Sequence, residues 1–325
     1  MIYALKRAAQ AALVLLATFT VTFVLLQALP GDAIMIKFED PTSGLTAAQI
    51  ADIRLAYGAD VPLVQQYLHT LLGFLQGDFG YSVQSGTPVA QLIAEVLPQT
   101  LVLAGLGFLL AVALAVGIAF LSALAPFAWL RSLVRALPGA FVSVPVFWLG
   151  IVLIQVFSFQ LRLVPIISAD PVQGLILPVL TLAVPISAPL AQILVRSIDE
   201  VSTQPFITVV RAKGASPSWV LWRNVARNAL LPAVTIAGIL LGELIGGAVV
   251  TETVFGRAGV GRLTEQAVSQ QDIPVLQAVV VLAALSFVAV NLVVDLLYPV
   301  LDPRLRTRRS VAPTAEPTRK DAVAA

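Results

Sequence analysis

Apolar positions dominate six long stretches of the chain, and most of the charged residues fall between them. Ala8 to Leu29, Gln99 to Ala125 and Ile273 to Val294 contain no charged residue. Ala136 to Leu161, Val172 to Val195 and Asn228 to Val250 follow the same pattern, the last interrupted only by Glu243. As helices rising 1.5 Å per residue, each crosses a hydrocarbon layer of roughly 30 Å. The pattern predicts an all-α polytopic membrane protein with six transmembrane helices. Such repetition excludes a soluble enzyme behind a cleaved signal or a single anchor. The first run starts on Lys6-Arg7 as a secretion signal does, but at 22 residues it is long for one and reads as a retained span.

The longest interruption, residues 30–98, exceeds a simple turn. Within it LTAAQIADIRLAYG and VPLVQQYLHTLLGFLQG space their apolar residues helically between Gly and Pro. The expectation is a small extracytoplasmic cap with Glu39, Asp40, Asp52, Asp60 and Asp78 toward water. It is either a surface for a soluble partner or an ordinary solvated loop.

A second polar interruption, residues 196–230, has a different texture. Gln204-Pro205 starts a helix with proline at its first position, Phe206, Val209, Val210 and Lys213 share a face, and Gly214 closes it. Ser216 is an N-cap and Pro217 a first-turn residue for WVLWRNVARNALL, where Trp219, Trp222, Arg223, Ala226 and Arg227 recur at three- and four-residue intervals. From Arg211 to Pro232 there are four basic residues and no acidic one. Docking to a cytoplasmic protein and lying on anionic lipid both suit this segment.

Composition sharpens the assignment: of 325 residues 58% are hydrophobic and 12% charged. The net charge of +2 conceals an asymmetry. With the amino terminus inside, the cytoplasmic segments hold 2, 2, 5 and 6 basic residues, which is 15 of 20. Both termini are therefore expected in the cytoplasm. The chain has no cysteine, which excludes disulfides and thiolate chemistry. The domain reading is residues 1–7 as a cytoplasmic start, 8–29 as the first span, 30–98 as the cap, 99–306 as the remaining five helices, and 307–325 as a disordered cytoplasmic tail.

Inside the apolar runs, Pro138, Pro145, Pro178, Pro185, Pro189 and Pro232 suit broken turns around a path, or packing faces in a bundle. Gly238, Gly242 and Gly246 recur every four residues and give one helix face close access to a neighbour. Glu243 lies one position around from that stripe, where a bare carboxylate is costly, so it is a cavity residue or a hydrogen-bond anchor between helices. Asp295 reads as structural, paired near Arg304 or Arg306. His69, in the cap and without a second histidine, supports no zinc site. No phosphate-binding GxxxxGK[ST] loop occurs, so ATP, if used, is held by another chain.

These residues resemble the membrane permease subunit of bacterial ATP-binding-cassette importers, in the dipeptide, oligopeptide and nickel branch. The likeness is carried by RAKG at Arg211 to Gly214 and RNALLP at Arg227 to Pro232. LLQALPGDAI, QGDFGYSV, TETVFGRAGVGRL, DIPVLQA and NLVVDLLYPVLDPRLR extend it over nearly the whole chain. It departs at Val209-Val210, where smaller residues are usual, at Ala258, where the branch has proline, and at Glu243, where an uncharged residue is usual.

The resemblance implies the importer permease fold in the bacterial inner membrane, and a peptide substrate. Nickel chelates, glutathione-like thiols and glycosides move on related scaffolds. It also implies a second permease subunit, two cytoplasmic ATPase domains carrying ATP and magnesium, an extracytoplasmic binding protein, and no catalytic or metal residue on this chain. Phe206, Val209, Val210, Arg211, Ala212, Lys213, Gly214, Ser216 and Pro217 would form the ATPase-coupling loop. Against it stand an ion- or proton-coupled transporter using Glu243, and a membrane scaffold that moves nothing.

Overall fold

The computed structural model describes residues 2–27, 61–166, 170 and 172–301. The piece LTAAQIADIRLAYG, the tail, and the pairing expected for Asp295 lie outside the residues and side chains described. The helices are α1 (Ile2–Gln27), α2 (Leu63–Gln76), α3 (Val89–Leu124), α4 (Ala128–Ser143), α5 (Val146–Leu153, continued by the π-helical turns Ile154–Gln160) and α6 (Gln173–Ser202). They continue with α7 (Pro205–Ala212), α8 (Pro217–Val220, followed by a π-helical turn Leu221–Val225), α9 (Ala226–Val254), α10 (Val260–Ser269) and α11 (Ile273–Leu301). Among the described residues there is no strand, only an isolated bridge between Tyr81 and Pro88.

Among the described residues five helical stretches are long and apolar enough to cross a membrane, and α4 with α5 makes a sixth if the bent pair counts as one span. The run expected as a span from Ala136 to Leu161 lies in that pair, which is bent by 104° between its halves. Pro145 explains the break. The residue before a proline is driven out of the helical region, and Val144 is extended at φ −96 and ψ 119.

At Pro98 the opposite happens. The second span was expected to begin at Gln99, yet α3 starts ten residues earlier at Val89 and runs 36 residues through the proline. The extra turns are held by burial: Val89 and Ile93 pack with Val260, Ala267, Val275 and Val279 of α10 and α11. Packing there outweighs the one hydrogen bond a proline removes.

The core is centred on α6. Its Leu190, Ala191, Leu194 and Ile198 pack with Ala115, Ile118 and Ala119 of α3, with Val225 of the π-helical turn and with Ala229 and Ala233 at the start of α9. Small residues set the spacing: a Cβ at Gly107 of α3 would lie 2.8 Å from the Leu182 side chain. Pro178, Pro185 and Pro189 all lie inside α6 without ending it.

Candidate functional site

The polar segment between α6 and α9 folds as a helix, a left-handed turn and a second helix. Gln204 is extended at ψ 145 with Pro205 opening α7, and Gly214 turns the chain at φ +84, a conformation costly for a residue with a Cβ. Ser216 then caps α8, its hydroxyl accepting from the Trp219 N–H at 3.4 Å, with Pro217 at the first helical position. The π-helical turn Leu221–Val225 adds a wide step before α9, and there Trp222 lies against Phe120 with ring centroids 4.5 Å apart.

The faces of α7 differ from the expected grouping in one respect. Ile207, which the sequence reading did not single out, is fully buried in the core. Val210, one turn on, packs against the same core and so leaves the face it was grouped with. Phe206 and Val209 are 44% and 55% exposed, and Arg211, Ala212 and Lys213 are exposed beside them. A short helix is thus pinned by one face and offers an apolar and basic one outward.

About 40 Å away, the length of the 29-residue α9, the chain builds a second polar site. Glu252 is 1% exposed. Its Oε1 accepts from the Thr100 hydroxyl at 2.6 Å and its Oε2 from the Gly261 N–H at 2.7 Å, while Thr100 Oγ1 accepts the Val260 N–H at 2.8 Å. The first two amides of α10 are therefore capped by side chains from α3 and α9, and the carboxylate sits at the positive end of α10. Glycine is required beside it: a Cβ at Gly259 would fall 2.1 Å from the Glu252 carboxyl carbon, and one at Gly261 2.3 Å from Val249 Cα.

Two further contacts complete this end. Pro178 has no N–H for the Gly174 carbonyl four residues back, and the Arg257 guanidinium donates to that carbonyl instead, at 3.1 Å. Asp272, 3% exposed, accepts from the Ser82 hydroxyl and from the Val83 N–H at 3.3 Å, tying the 78–88 loop to the start of α11. None of Thr100, Glu252, Arg257 or Asp272 was a candidate from sequence. The available signal was the Glu and Gly spacing within TETVFGRAGVGRL.

The residues chosen inside the membrane separate. Gly242 meets Phe287 of α11, where a Cβ would lie 2.3 Å from the ring, and Gly247 rather than Gly246 packs on Leu182 of α6. Within this chain a Cβ at Gly246 would meet nothing within 4 Å, whereas Gly238 is buried. Glu243 is exposed on α9, not enclosed in a cavity of this chain. His69 lies on α2 beside a cleft of about 920 Å³, far in sequence from Glu243.

The model of the binding-protein-dependent transport system inner membrane component matches residues 113–307, and the model of that component's N-terminal region matches residues 1–104. The chain is 37% identical over 304 residues to the glutathione transport system permease protein GsiC of Salmonella typhimurium strain LT2, covering 94% of this chain and 98% of that one. It is 36% identical over 313 residues to the probable peptide ABC transporter permease protein y4tP of Sinorhizobium fredii, covering 94% and 99%. Among solved structures, an inward-facing MetNI methionine ABC transporter chain superposes with a TM-score of 0.56 at 20% identity, covering 65% of this chain and 97% of its own. That last likeness concerns the fold.

Proposed function

We infer the function from one premise: the chain belongs to the family of binding-protein-dependent transport system inner membrane components. It is a multi-pass inner-membrane transport permease, not an enzyme. Beyond that, the reading is our own. The chain forms half of a path for peptides, glutathione-sized ones included, and relatives named for glutathione and peptide transport along 94% of its length support this class.

The residues Phe206 to Pro217 carry the coupling to a cytoplasmic ATPase. The single observation behind this is the two-faced α7: Ile207 fixes it to the core, while Phe206, Val209, Arg211, Ala212 and Lys213 face outward on a short rigid lever. An exposed apolar surface with basic neighbours fits an acidic-rimmed groove on a soluble partner. ATP and magnesium belong to that partner. A second permease chain and an extracytoplasmic binding protein complete the assembly.

Glu243 belongs to the same reading. A carboxylate exposed from a membrane helix does not face hydrocarbon without large cost, so we assign it to the side of α9 that borders the path or the second permease.

The test is the ATPase rate of the purified complex in lipid, with and without loaded binding protein. Proline cannot adopt the φ of +84 at Gly214. Gly214→Pro is expected to assemble and keep basal turnover while losing stimulation by the binding protein. Full stimulation in the variant places coupling elsewhere on the chain.

A further inference from the structure

The helix α2 is amphipathic with its polarity inverted for a water-exposed cap. Residues 61–77 contain no Asp, Glu, Lys or Arg. One face of α2 docks on α1: Tyr67 and Phe74 meet the Phe19 ring edge-on at 5.6 and 5.1 Å between centroids, and Thr20 Oγ1 lies 2.8 Å from the Tyr67 hydroxyl. A second face, Gln65, Gln66, His69 and Thr70, lines the cleft of about 920 Å³ between α2, the 78–81 turn and the start of α11. The third face is Val64, Leu68, Leu72 and Leu75, exposed by 70%, 51%, 56% and 76%. At 100° per residue these four fall within an arc of about 80°.

The polar residues thus turn to the inner cleft and the aliphatic ones outward, which is the pattern of a helix surrounded by hydrocarbon. The outward stripe also continues one already in the membrane. Val21, Val24 and Leu25 of the span α1 are 57%, 57% and 63% exposed next to the Phe19–Phe23–Tyr67 contact. At 14 residues α2 is about 21 Å long, too short to span.

We propose that α2 lies in the leaflet opposite the coupling segment, with Val64, Leu68, Leu72 and Leu75 against lipid acyl chains, and that its polar face walls a cleft sunk below the membrane surface. What was expected to be a cap in water is at this point part of the membrane domain. The proposal rests on the chain being a multi-pass membrane protein and is independent of the substrate and of the ATPase docking.

The chain has no cysteine, so single nitroxide labels can be placed at Val64→Cys, Leu68→Cys, Leu72→Cys and His69→Cys in the assembled transporter in phospholipid vesicles. Oxygen, which concentrates in hydrocarbon, is expected to relax labels at 64, 68 and 72 as strongly as labels at Val21→Cys and Val24→Cys. A charged water-soluble relaxant is expected to reach them at least about tenfold less than a label at Ser85→Cys, because hydrocarbon excludes charge. It is expected to reach His69→Cys on the cleft side. Strong relaxation of the stripe by the charged reagent puts it in water, and protection from both reagents puts it under protein; either result overturns the proposal. Three sites on the stripe keep the answer readable if one variant fails to assemble.

Discussion

Glu252 and Glu243 are nine residues apart on one helix, and their fates are opposite. Glu243 interrupts an apolar run and is therefore conspicuous in the sequence, yet it is exposed. Glu252 sits at the edge of that run, where a charge is unremarkable, yet it is buried between Thr100 and the start of α10. Its burial depends on a threonine 152 positions earlier, a distance over which no local pattern carries information. The glycines around it are the readable trace. Gly259→Ala is expected to push the carboxylate off the Gly261 amide and leave buried groups unpaired, at about 1 to 3 kcal/mol each. Within this chain Gly246→Ala meets no neighbour and removes a glycine from a helix interior, so it is expected to leave stability unchanged or raise it by about 0.5 to 1 kcal/mol. Denaturation midpoints of the purified complexes separate the two, and equal shifts would contradict this account of the glycines.

At the scale of elements, prolines and short helices show which local rules survive. Pro145 breaks its span and Pro98 does not, although both lie in apolar sequence. The difference is that the turns before Pro98 are clamped by α10 and α11, whereas Val144 adopts the extended conformation its proline favours. The segment α7 to α8 follows its sequence closely, since a proline start, a left-handed glycine and a serine cap are rules that act within a few residues. Which side of α7 faces inward is not such a rule, and the reading that grouped Val210 with Phe206 lacked the position of the core. Ile207→Ala is expected to remove about 2 to 5 kcal/mol of anchorage. Amide exchange across residues 205–213 should then rise by at least about tenfold, each 1.4 kcal/mol being a factor of ten. Phe206→Ala should leave that exchange unchanged and reduce stimulation of the ATPase. If both variants alter only exchange, α7 is a structural brace and not a docking lever.

For the whole molecule, the long helices place the basic segment and the Glu252 site at opposite ends of α9, so one rigid element joins the two sides of the membrane domain. Glu243 lies along it on an exposed face, where a path shared with a second permease would pass. Glu243→Gln is expected to lower uptake of peptides with a free amine by about fivefold, the effect of roughly 1 kcal/mol from a partly hydrated charge pair. Uptake of N-acetylated peptides should be unaffected, and free-amine uptake by the variant equal to that of the wild type would remove Glu243 from the path. By itself the sequence determined the helical membrane class, the apolar runs from which the long helices form and the short helix-turn-helix of residues 204–217, because apolar run length and caps are local properties. The motifs within those segments also pointed to the family. Only the tertiary structure decided that one span is bent by 104°, that within this chain Gly242 and Gly247 pack while Gly246 does not, that Ile207 anchors α7, and that Glu252 is buried. Each of those depends on which surfaces meet across long separations in the chain, and burial, unlike helicity, has no short-range signature.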